Sequence, residues 1–153
     1  MWQRAPLQAL ARLHALAAAD LVDERLLGRP RQDPEVSPRL DLVTRLVTGA
    51  SAAPAPVLAA VVHGELLTLA PFGSGDGVIA RAVSRLVTIA TGLDPHGLGV
   101  PEVYWLRRAE EYRTAAAGFA TGTPEGLGPW LLMCCRALED GAREAVSIAE
   151  AAG

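Results

Sequence analysis

The sequence predicts an all-α protein: a single helical bundle of about six helices. Three observations carry this. Alanine and leucine dominate a chain that is 50% hydrophobic, and both favour helix. Apolar residues recur at spacings of three and four. β-branched alternation of the kind that marks strands is sparse.

Leu7, Leu10, Leu13, Ala17 and Leu21 form the stripe of a first amphipathic helix, with Pro6 in its first turn. Gly28 to Pro34 reads as a polar loop. Ser37 and Pro38 open a second helix carrying Leu40, Val43, Leu46 and Val47, closed by Gly49. Residues 50–56 are a small-residue connection. Pro54 or Pro56 starts a third helix, running to about Leu69, that is apolar on nearly every face; such a helix belongs in the middle of a bundle. A glycine-rich loop follows, then a helix from Val78 to about Ala90 with Ile79, Val83, Leu86 and Ala90 as its core stripe. After a loop from Gly92 to Gly99, Pro101 starts one helix through Leu106, Ala109, Tyr112, Ala116 and Phe119. The last and longest follows Gly122. Residues 1–35 are expected to be an N-terminal helix and polar loop packed on a core spanning 36–153.

The 153 residues suit one domain. The net charge of −3 argues against a nucleic-acid partner. The longest apolar run, Ala52 to Val62, is too short to span a membrane. Cys134 and Cys135 are adjacent and have no zinc-type spacing, and the N-terminus lacks a signal-peptide pattern; both point to a reduced, cytoplasmic chain. All 14 basic residues are Arg, and Lys and Asn are both missing, as expected of a GC-rich, bacterial genome. This excludes a P-loop or Schiff-base lysine. No metal site is expected from the sequence.

Chemistry concentrates in Leu69-Ala-Pro-Phe-Gly-Ser-Gly-Asp-Gly-Val-Ile-Ala-Arg81. Gly73, Gly75 and Gly77 allow tight turns and close approach to a ligand. The helix behind them presents unsatisfied first-turn amides, around Val78 and Ile79, and the positive end of its dipole. Arg81 lies one turn in and leans back toward the same point. These features make an anion cradle suited to phosphate. The competing reading is a plain loop with Asp76 as the helix N-cap. His14 and His96 stand isolated in the sequence. His63 reads as a buried helix residue, Tyr104, Trp105 and Trp130 as packing residues, and Cys134 and Cys135 as core thiols.

The segment resembles the signature of the Fic (Fido) family, His-Pro-Phe-x-Asp/Glu-Gly-Asn-Gly-Arg-x-x-Arg. Pro71, Phe72, Gly75, Gly77 and Arg81 match in register. His63, the Tyr112–Phe119 run, Thr123-Pro124 and Pro129-Trp130-Leu131-Leu132 extend the resemblance over roughly residues 40–145. It implies a helical fold and AMP transfer from ATP with magnesium. The departures are as specific. Ala70 stands at the catalytic histidine, Ser74 at the metal-binding carboxylate, Asp76 at the phosphate-contacting asparagine and Val78 at the first arginine. What the resemblance then implies is a degenerate member: a nucleotide- or phosphate-binding remnant, with Gly73, Gly75, Gly77 and Arg81 as its anion-binding residues, that lacks ordinary AMP-transferase activity. ATP with magnesium is its expected, weak ligand, and a protein target or partner is a further expectation. Two rivals stand beside it. One is a nucleotidyl or phosphoryl transferase using an altered loop, with Asp76 as base or metal ligand. The other is a non-catalytic protein-interaction module.

Overall fold

The computed structural model describes residues 2–49 and 51–152. Ala50, the first residue of the expected connection, lies outside them, as do Met1 and Gly153, the outer bounds of the two expected segments. Among the described residues there are seven α-helices and no strand: α1 (Pro6–Ala17), α2 (Val36–Val47), α3 (Ala55–Leu69), α4 (Asp76–Ala90), α5 (Pro101–Arg107), α6 (Ala109–Ala120) and α7 (Pro124–Ala152), with one 3₁₀ turn at Glu24–Leu26. The protein is all-α, as its composition and periodicity predict. None of its described helices is long and apolar enough to cross a membrane.

α3 is the centre of the molecule. No residue from Ala55 to Leu69 is exposed, and this holds for no other helix. One face of α3 (Ala59, Val62, Leu66 and Leu69) joins α1, α2 and α4 in a core that includes Leu10, Val43, Ile79 and Val83. The opposite face, through Ala60, joins α5, α6 and α7 around Trp105, Trp130 and Met133. Leu67 packs against both cores. Trp130 is fully buried and its Nε1 donates to Ala60 O at 2.8 Å, tying α7 to α3. Gly64 permits this approach: a Cβ there would lie 2.7 Å from Trp130 Nε1 and 2.8 Å from the Phe119 ring.

Three elements differ from expectation. α1 ends at Ala17 rather than Leu21; Leu21 N–H turns back to Ala18 O, and the Leu21 side chain is exposed. The buried face of α1 is Pro6, Ala9, Leu10 and His14, so Leu7 also lies outside it. The expected single helix from Pro101 is two, because Arg108 leaves the helical region (φ −123°, ψ 43°) with its guanidinium over the Tyr104 ring. The bend lets α5 pack on α7 while α6 reaches both α7 and α3. α4 begins at Asp76, two residues early, with Gly75 in a left-handed conformation (φ +65°) as its N-cap. Asp76 is therefore the first helical residue and not the cap. At the start of α7, Thr123 Oγ1 accepts from Gly126 N–H at 3.2 Å, a side-chain cap of the usual kind.

Candidate functional site

The loop between α3 and α4 is set by one left-handed residue at each end. Ala70 closes α3 with φ +45°, ψ 61°, and Gly75 opens α4. Gly73 is left-handed as well, with φ +74°. Residues far back in the chain hold this geometry. Arg31 N–H donates to Pro71 O (2.8 Å), Arg31 Nε to Ala70 O (2.9 Å) and Nη2 to Leu69 O (3.0 Å), so one arginine satisfies three successive carbonyls at the C-terminus of α3. This is where a cation is favoured.

The early start of α4 moves the free amides. Val78 and Ile79 N–H both donate to Gly75 O and are satisfied, against expectation. The N–H groups of Ser74, Gly75, Asp76 and Gly77 have no hydrogen-bond partner among the described residues. They form four consecutive donors at the N-terminus of a 15-residue helix. The Arg81 guanidinium leans back over this turn, as its place in the helix predicts: Nη1 is 3.4 Å from where a Cβ on Gly77 would sit. Gly77 has no left-handed φ, and a Cβ there would meet the Arg81 guanidinium only at ordinary contact distance. Arg81 forms no salt bridge among the described residues. Arg85 does not join it. Its guanidinium donates to Gly97 O at 2.6 Å and pairs with Glu102 at 3.1 Å.

Asp76 is 8% exposed and turned back into the loop, its Oδ1 accepting from Phe72 N–H at 3.0 Å. Burial raises its pKa; the Phe72 and Gly73 amides, His14 and Arg31 oppose that rise. A carboxylate held this way is a fixed part of the loop, unsuited to act as a mobile base. Val78 is exposed and offers no donor.

His14, isolated in the sequence, is central to the loop. Its Nε2 is 3.1 Å from Ser74 Oγ, its Nδ1 accepts from Gly28 N–H at 2.8 Å, and its ring stacks on Phe72 with centroids 4.3 Å apart. Gly28 reaches it because that residue is left-handed (φ +71°) and lies so close to α1 that a Cβ would meet Ala11 O at 3.0 Å. These partners lie 14 and 60 residues from His14, beyond any local pattern.

His63 is fully buried, with Nε2 2.9 Å from the Tyr112 hydroxyl and its ring edge-on to Trp105 and Trp130. Burial, helped by the positive charge of Arg81, lowers its pKa to about 3. It is a neutral core residue. Tyr104, Trp105 and Trp130 are buried packing residues too. Cys134 is buried with its thiol pKa pushed up, and Cys135 is half-buried.

The magnesium implied by the Fic resemblance does not fit these donors. Ser74 offers a hydroxyl already bonded to His14, and Asp76 Oδ1 is engaged by an amide. Magnesium sites draw on free carboxylate oxygens, and the described residues hold no cluster of three or more His, Cys, Asp or Glu able to bind a metal ion. A cavity of about 280 Å³ lies nearby, between α1, α2 and Phe72. Leu7, Leu10, Leu40 and Pro30 line it, and none of residues 73–81 does.

Comparison with known proteins finds no matching family model, no matching curated protein and no matching solved structure.

Proposed function

We propose that this protein binds the phosphates of a nucleotide at the 70–81 loop, as a degenerate Fic-like protein without ordinary AMP-transferase activity. The observation that carries the reading is the row of four unpartnered amides, Ser74 to Gly77, beside the guanidinium of Arg81, which lies next to the Tyr112 hydroxyl and has no carboxylate partner among the described residues. Aligned amides and a helix dipole favour an anion, and a guanidinium adds a charge-assisted donor. A protein target or partner remains part of the proposal.

The chemistry of AMP transfer needs more than binding. It needs a base for the attacking hydroxyl, and general acid–base catalysis contributes about 10²–10⁴-fold. Ala70 supplies none, and Asp76 is bound to the Phe72 amide. The same bond argues against the altered-loop transferase, which takes Asp76 as its base or metal ligand.

Calorimetric titration with ATP tests the reading. Arg81→Ala should weaken binding about tenfold, the effect of one charge-assisted contact of ~1.5 kcal/mol. Asp76→Asn should tighten it, because a carboxamide oxygen still accepts from Phe72 N–H while the negative charge beside the phosphate is gone. Unchanged affinity in Arg81→Ala removes the central residue of the site. Transfer of label from α-labelled ATP to any protein by the unaltered chain overturns the pseudoenzyme reading.

A further inference from the structure

Ser74 sits in a hydrogen-bond chain whose direction can be assigned. The Gly28 amide is 2.8 Å from His14 Nδ1. An amide N–H only donates, so Nδ1 carries a lone pair and no proton. Burial disfavours the imidazolium of His14 more than Asp76 favours it, so the ring is neutral near pH 7. The single ring proton therefore lies on Nε2, which faces Ser74 Oγ at 3.1 Å. The ring donates and Oγ accepts. The hydroxyl proton of Ser74 is left pointing elsewhere, and no described residue accepts it. Stacking on Phe72, within 7° of parallel, fixes the plane of the imidazole and with it this direction.

Position 74 is where the Fic resemblance places a magnesium-binding carboxylate. A metal ligand must present a lone pair. Here one lone pair of Oγ is taken by the His14 N–H, which leaves one lone pair and the hydroxyl proton. A neutral hydroxyl with one lone pair left is a poorer magnesium ligand than the carboxylate it replaces, and its free proton suits an anion.

We infer that Ser74, oriented by His14, donates its hydroxyl to a phosphate oxygen of the bound nucleotide, in the place a divalent cation would otherwise occupy, so that ATP binding at this loop needs no magnesium. The inference rests on the nucleotide-binding reading above. His14 is a positioning residue in it and Ser74 a binding residue.

Titration of the full chain with ATP, once in EDTA and once in excess Mg²⁺, tests the inference. The two dissociation constants should agree within about twofold. Ser74→Ala should weaken binding about five- to tenfold in both buffers, the effect of one hydrogen bond to a charged group at a half-exposed site. Ser74→Asp should reverse the metal dependence, with little binding in EDTA and recovery in Mg²⁺. Nitrogen-15 NMR of the imidazole gives a readout independent of binding: His14 should show a protonated Nε2 and a bare Nδ1. Binding by the unaltered chain only when Mg²⁺ is present overturns the inference, as does a Ser74→Ala variant with unchanged affinity or a His14 protonated on Nδ1. Those results leave the nucleotide reading standing if Arg81→Ala still weakens binding. Failure of ATP to bind in either buffer removes both.

Discussion

Acid should loosen this fold through His63, and the size of the effect follows from its surroundings. His63 is fully buried, and its pKa is lowered from 6.5 to about 3. Between those values the unfolded chain takes up a proton that the folded chain refuses. The folded pKa lies below the unfolded one, so the stability held at neutral pH is lost as pH falls from about 6.5 toward 3, at ~1.4 kcal/mol per unit. Two units into that window, near pH 4.5, the loss is about 2–3 kcal/mol, a large part of the ~5–15 kcal/mol that holds a typical domain together. Two other groups titrate nearby. The lowered pKa of His14 acts in the same direction. The raised pKa of Asp76 acts in the opposite one: its contribution is present at low pH and is lost as pH rises through its folded pKa. A difference measurement isolates His63. His63→Gln retains an amide able to reach the Tyr112 hydroxyl but does not titrate. Urea unfolding of both proteins near pH 7 and near pH 4.5 should show the parent losing about 2–3 kcal/mol more than the variant. Profiles parallel within about 0.5 kcal/mol would refute the reasoning, since His63 would then protonate as readily in the folded chain as in water.

Two further predictions concern backbone. In Gly126→Ala the new methyl would collide with Gly118 O on α6 and with Thr121 Oγ1; a cost of about 2–3 kcal/mol, or a fall of roughly 5–10 °C in melting temperature, is expected, and an unchanged melt refutes so close an approach of α6 and α7. Ala70→Gly should stabilise, because Ala70 is left-handed at φ +45°. Relief of ~1–2 kcal/mol of left-handed strain, less ~0.5–1 kcal/mol for the freer unfolded glycine, leaves a net gain of about 0.5–1 kcal/mol, readable as a rise of roughly 2 °C; a lower melting temperature contradicts it.

The helices were legible because their signals are local. α3 is apolar on nearly every face because it is walled on both sides; of the stripe expected for α4, Ile79 and Val83 are buried and Leu86 is half-buried, but Ala90 is exposed. The break at Arg108 was not legible: no glycine or proline marks it, and it answers to α7 and α3. The composition of the loop gave its glycines, and helical geometry gave the lean of Arg81. The early start of α4 at Asp76, which shifts the free amides from Val78–Ile79 to 74–77, depends on Gly75 rather than Asp76 serving as cap. Two parts of the site had no local signal: the His14–Ser74 contact and the three carbonyls held by Arg31. Both link residues 14–31 to residues 69–74. Gly64 did carry a signal, a glycine inside an apolar helix, and the answer is the Trp130 ring.

The position of α3 between two cores bears on how the molecule comes apart. Neither half has an apolar wall of its own on that side; each borrows one face of the same 15-residue rod. If α5–α7 peeled away, Ala60 and Leu67 would be bared to water and the Trp130–Ala60 tie lost. If α1, α2 and α4 left instead, Val62, Leu66 and Leu69 would be bared. Partial opening on either side thus removes support from the other, and the chain should melt as one cooperative unit.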